Sequence, residues 1–127
     1  MTKQRIFLAH WTYSPEEWKT FLRWRKLQQG VFHYVFSRLF PSHIATVPEI
    51  VITYQKVWIG DKVESFSNQE RQLKKVDIRD VGNMNIIEII YETIRGGLPS
   101  HTCIHIPIPR GKLREAISVH ENLSTFA

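Results

Sequence analysis

The segment His101-Thr-Cys103-Ile-His105 holds the densest group of nucleophilic and metal-ligating side chains in the chain. On a β-strand alternate residues share one face, so these three side chains project together with neighbours about 7 Å apart. A thiolate with imidazoles suits zinc or copper, and His10 or His120 could supply a further ligand. The interleaved Ile104, Ile106 and Ile108 argue for a plainer reading. They mark the core side, which leaves His101, Cys103 and His105 as the alternate face of an ordinary strand. Neither a Cys-x-x-Cys nor a His-Glu-x-x-His spacing occurs. No metal and no cofactor are expected.

The same residues are poorly arranged for catalysis. A Cys103 nucleophile with His101 or His105 as its base would have to work between positions two apart on one strand, which is poor geometry for base-assisted attack. The carboxylates are scattered: Asp61 falls in a turn, Asp77 and Asp80 flank a strand end, and Glu88 and Glu92 share one strand, so no pair is set for acid–base work. Gly60, Gly82, Gly96 and Gly97 lie in turns and form no phosphate-cradling loop. The chain reads as a non-enzyme.

Binding chemistry is the stronger signal. Residues 1–42 carry seven Lys/Arg against two acids and ten of the fifteen aromatics, whereas residues 43–127 carry ten charges of each sign. The whole net charge of +5 is therefore concentrated in the first third. Within it, Arg23, Trp24, Arg25 and Lys26 combine cations with an aromatic ring, a set suited to a protein partner, a lipid headgroup surface or, as the alternative, nucleic acid. A second set, Arg110 and Lys112, stands where a closing helix begins, and with the free backbone N–H groups there it could bind an anion.

These residues must be positioned by the elements around them. Residues 4–11 read as a strand. Ser14-Pro15-Glu16-Glu17 follows, with Ser14 as cap, Pro15 in the first helical position and Glu17 completing a capping box, while Tyr13 and Trp18 are placed as a hydrophobic staple. Helical spacing runs on through Phe21 and Leu22 and resumes at Phe32, Val35, Phe36, Leu39 and Phe40. Gly30 is a kink or break and Pro41 the end, giving one kinked helix or a helix pair. After a connector over 41–48 the period changes to two. Strands are expected over 49–53, 56–59, 62–66, 72–79, 85–95 and 102–108, with turns at Tyr54-Gln55, Gly60-Asp61, Gly82-Asn83 and Gly96-Gly97. Residues 110–123 close the chain as a helix whose stripe is Leu113, Ala116, Ile117 and His120.

Composition bounds the class. A chain of 127 residues with 43% hydrophobic and 23% charged residues is an ordinary globular domain, read here as one domain over 1–127. One cysteine excludes an internal disulfide. The run Ile6–Ala9 is too short for a signal-peptide core. The longest apolar stretch, 31–40, would span about 15 Å as a helix, half of a bilayer core. The expectation is a cytoplasmic protein, with peripheral contact at the inner face of the membrane as a variant of it. Exposed edge strands and aromatics also allow a homodimer.

Residues 49–123 resemble a pleckstrin-homology-like (PH-like) domain of the bacterial type. The resemblance is carried by Glu49-Ile-Val-Ile-Thr53, Val57-Trp-Ile-Gly-Asp61, Leu73-Lys-Lys-Val-Asp-Ile78, Asn85–Tyr91, His105-Ile-Pro-Ile-Pro-Arg-Gly-Lys112 and the last helix, about 60% of the chain. It implies an α+β fold: an antiparallel sheet system or partly open barrel of six to seven short strands, in two near-orthogonal sheets closed at one end by the C-terminal helix. It also implies a binding or adaptor role. The segment Ala9–Trp18 looks like the opening of bacterial membrane proteins in which two spanning helices precede such a domain, but residues 31–47 cannot supply those helices. An aromatic, basic helix lying on a membrane or on the sheet fits better. The family's phosphoinositide site resembles a Lys/Arg cluster in a roomy first hairpin loop, and here Tyr54-Gln55 offers only Lys56.

Overall fold

The computed structural model describes residues 7–28, 47–95 and 97–125. The expected second half of the N-terminal helical segment and most of the connector, residues 29–46, lie outside the described residues.

The chain folds as α+β. β1 (Ala9–Trp11) leads into α1 (Pro15–Leu27), followed by β2 (Ile50–Ile52), β3 (Lys56–Ile59), β4 (Lys62–Ser65), β5 (Arg71–Asp80), β6 (Asn85–Arg95), β7 (Leu98–Pro107) and α2 (Leu113–Ser124). β1 to β4 form one antiparallel sheet in sequential order, and β5 to β7 a second. Among the described residues no ladder joins the two sheets, so the expected pair of antiparallel sheets is present and no closed barrel forms. Nor are all strands short, since β5, β6 and β7 run to ten or eleven residues.

One buried cluster unites these parts. The first sheet contributes Trp11, Ile50, Ile52, Val57 and Ile59, the second Leu73, Val76, Ile87, Ile89, Ile104 and Ile106, and α2 Ala116, Val119 and Leu123. Alternation along each strand turns these residues to one side. In β5 the pattern slips: Lys74 is an extra residue between the pairs Leu73–Tyr91 and Lys75–Ile90. This bulge explains why the apolar positions Leu73 and Val76 are three apart yet both buried.

Glu64 crosses between the sheets inside this cluster. It is 4% exposed, accepts a hydrogen bond from Tyr91 Oη, and pairs with Arg71 Nη1 at 3.3 Å. Arg71 also donates to the Ser65 carbonyl at 2.7 Å and lies over the Tyr91 ring. Burial and the Glu64 carboxylate together push the Tyr91 hydroxyl up to about 12.

The expected capping box of α1 is present, with Ser14 Oγ accepting from the Glu17 N–H at 3.1 Å and Glu17 Oε1 accepting from the Ser14 N–H at 2.8 Å. Tyr13 and Trp18 form the staple, ring centroids 5.5 Å apart. In α2 the expected stripe is out of phase. Ala116, Val119 and Leu123 are buried, whereas Leu113 and Ile117 are exposed and His120 is half-buried. Apolar residues at 113, 116, 117, 119 and 123 make two overlapping stripes, and packing against β5, β6 and β1 selects the second.

Candidate functional site

α1 has two chemically distinct faces. Trp18 and Phe21 point into the common core, and Trp24 packs between Phe21 and His105, its ring centroid 5.0 Å from the imidazole at 83°. The opposite face carries Lys19, Arg23 and Lys26, all exposed and in no ion pair with another described residue. Positions i, i+4 and i+7 fall on one stripe of a helix, so the three cations line up. Of the four residues expected as a contact set, Arg23 and Lys26 are presented outward, whereas Trp24 and Arg25 are half-buried. Lys19 was legible from the same spacing and completes the stripe.

Trp24 sits over the outer face of the second sheet. There the register of β6 and β7 sets Glu88 opposite His105, Ile90 opposite Cys103 and Glu92 opposite His101. His105 is 2% exposed and Cys103 fully buried, even though Ile104, Ile106 and Ile108 on the other face are buried too. The expectation that His101, Cys103 and His105 form one ordinary outward face therefore fails for two of the three. That half of β7 is covered on both faces.

The covered groups form a polar cluster. His105 Nε2 lies 2.8 Å from Glu88 Oε2 and 3.4 Å from Cys103 Sγ, and Arg79 Nη1 donates to Glu88 Oε2 at 2.9 Å. Burial lowers the pKa of His105 below the ordinary histidine value, and the Glu88 carboxylate offsets only part of this. The imidazole is thus neutral at neutral pH and donates its Nε2–H to Glu88. Burial pulls the Glu88 carboxyl upward, but hydrogen bonds from His105 and Arg79 outweigh it and hold the group below its usual value. Burial, reinforced by Glu88, drives the Cys103 thiol far above the ordinary range, so it is a protonated thiol rather than a nucleophile.

The remaining candidates lie elsewhere. His101 is 59% exposed and pairs with Glu92 at 3.1 Å, His10 pairs with Glu49 at 2.6 Å on the edge of the first sheet, and His120 is on α2. Glu88 was missing from the expected set because only the β6–β7 register brings it to His105.

At the start of α2 the backbone N–H of Arg110 donates to Glu17 Oε2 at 2.6 Å, and Lys112 pairs with Glu115 at 3.0 Å. The chain's own carboxylates thus occupy the Arg110 backbone N–H and the Lys112 ammonium. Between the two helix starts lies an open groove of about 750 Å³, lined among others by Ser14, Thr20, Asn85, Pro109 and Leu113.

No helix of the described residues is long and apolar enough to cross a membrane. Comparison with protein-family models, curated proteins and solved structures gives no match to this chain.

Proposed function

We propose that this chain is a non-enzymatic PH-like binding module that docks an acidic surface, of a protein or of a membrane, on the outward face of α1. The observation that carries this reading is the layout: a sheet of four antiparallel strands, a sheet of three, and a helix after the last strand whose Ala116, Val119 and Leu123 fill the shared core. Residues 49–123 supply three strands of each sheet and the closing helix, a layout compatible with the PH-like resemblance, and β1 joins the first sheet as its fourth strand. A fold names no ligand, so the binding face is argued from its residues. Lys19, Arg23 and Lys26 form a cationic stripe, and Trp24 is turned inward against His105. A stripe without an outward aromatic ring favours a charged surface over stacked bases.

The test is co-sedimentation with phosphatidylserine-containing vesicles at low and high salt, for the native chain and for a Lys19→Glu, Arg23→Glu, Lys26→Glu variant. Each cation near an anionic surface contributes about 1 kcal/mol, so reversing three of them should weaken binding by more than about 100-fold. Equal binding by the two proteins would sink the proposed face. Salt-insensitive dimerisation of both in size-exclusion chromatography would move the reading to a homodimer. Tight, steeply salt-dependent binding of single-stranded DNA would move it to nucleic acid.

A further inference from the structure

Glu88, Cys103 and His105 have no part in the proposed binding face, yet they bring a carboxylate, a thiol and an imidazole together beneath α1. Their ligand atoms all lie within 4.8 Å of one another. From this geometry we infer that the three residues bind one divalent transition-metal ion of the zinc class, roofed by Trp24.

The distances are close to what such an ion needs. Tetrahedral zinc, with bonds of about 2.3 Å to sulfur and about 2.05 Å to nitrogen, places those two atoms roughly 3.5 Å apart. Cys103 Sγ and His105 Nε2 are 3.4 Å apart already. A nitrogen and a carboxylate oxygen on the same ion stand about 3.3 Å apart, so the 2.8 Å pair of His105 and Glu88 must open by about half an ångström. Rotation about the Glu88 side chain supplies that movement without disturbing the ladder. Glu88 and His105 are directly paired across two long strands and Cys103 lies two residues before His105 on the same strand, none in a loop, so backbone order for the site exists before the ion arrives.

The donor set selects the metal. One sulfur, one nitrogen and one oxygen suit zinc, cobalt, nickel or copper, whereas magnesium and calcium require oxygen cages. Charge balances as well. The ion displaces the thiol proton to solvent and forms the metal–sulfur bond, while the imidazole proton moves to Nδ1 and frees Nε2 as a ligand. The thiolate and the Glu88 carboxylate then cancel the two positive charges, which suits a site of low dielectric. Arg79 competes for Glu88, but its side chain is 48% exposed and swings readily into water.

The experiment is a cobalt(II) titration of the full chain after chelator treatment, followed in the near ultraviolet where thiolate-to-cobalt charge transfer absorbs. The native protein should develop that band, saturate at one equivalent and lose the band on adding zinc. Cys103→Ser and Cys103→Ala, with folding checked by circular dichroism, should lack the band and bind at least about 100-fold more weakly, since loss of even an outer-shell partner costs 10- to 100-fold. Glu88→Gln should weaken binding with the band retained, and His101→Ala should leave the titration unchanged. Absence of the band in the native chain overturns the inference with no variant needed. So would undiminished affinity in Cys103→Ser, or loss of binding in His101→Ala, which would move the site to His101 and Glu92.

Discussion

Replacing Tyr91 by Phe isolates one of the polar contacts that link the two sheets. The ring stays, and with it the packing and the Arg71 stacked upon it; only the hydroxyl that donates to Glu64 is removed. Glu64 keeps Arg71 at 3.3 Å but loses the Tyr91 donor while remaining 4% exposed. A hydrogen bond to a buried charged group contributes about 1.5–3 kcal/mol, and a figure near 2 kcal/mol fits a carboxylate that keeps its pairing with Arg71. For a chain of 127 residues the unfolding entropy is roughly 0.25 kcal/mol/K, so Tm should fall by about 8 °C. A second signature comes from pH. The folded-state pKa of Tyr91 is about 12 against an ordinary 10, so between these values the unfolded chain releases this proton and the folded chain keeps it. The unfolded state binds fewer protons there, and native stability falls as pH rises through that window. At about 1.4 kcal/mol per unit the fall is on the order of 2 kcal/mol, and Tyr91→Phe lacks it. Urea denaturation of both proteins from pH 7 to 12 should therefore show a gap of about 2 kcal/mol that closes above pH 10. A gap below about 0.5 kcal/mol at pH 7, or one that stays constant to pH 12, would refute the reasoning.

Two further outcomes follow from the helices. Val119→Ala should destabilise by about 1–3 kcal/mol and Ile117→Ala by no more than about 0.5 kcal/mol, which urea melts will resolve and which the opposite order would contradict. For Glu17, burial works to raise the carboxyl pKa, but the N–H groups of Ser14 and Arg110 and the Ser14 hydroxyl prevail and lower it. A depressed carboxylate stabilises above its unfolded value and loses that contribution as pH falls through the folded one. Thermal melts should thus show the native chain losing more stability below about pH 4.5 than Glu17→Gln, with identical slopes counting against the contact to Arg110.

Local features were the most legible. The capping box at Ser14 and Glu17 and the Tyr13–Trp18 staple involve residues a few positions apart, so chain stereochemistry alone brings them together. Strand positions also followed from period two: the range expected for β3 and that for β6 coincide with the observed ones, and the others differ by a few residues at their ends. Side-chain facing was harder to read. In α2 two apolar stripes overlap, and the burial of Val119 rather than Ile117 is decided by which face packs against β5. In β7 the alternation identified the isoleucine face correctly as core, yet gave no sign that α1 would cover His105 from the other side.

The sequence by itself determined, for the described residues, which elements form, that an aromatic, basic helix precedes an antiparallel meander, and where the charge lies. These properties depend on periodicity, capping and composition, all of which act over a few residues. Only the tertiary structure decided that Trp24 turns inward, leaving Lys19, Arg23 and Lys26 as the outward stripe. It alone decided that Glu88 joins Cys103 and His105 while His101 pairs with Glu92. Both results arise from contacts between residues far apart in the chain, Glu88 with His105 across a ladder and Trp24 with His105 across a helix–sheet interface. Such contacts are set by register and docking, which a local pattern does not encode.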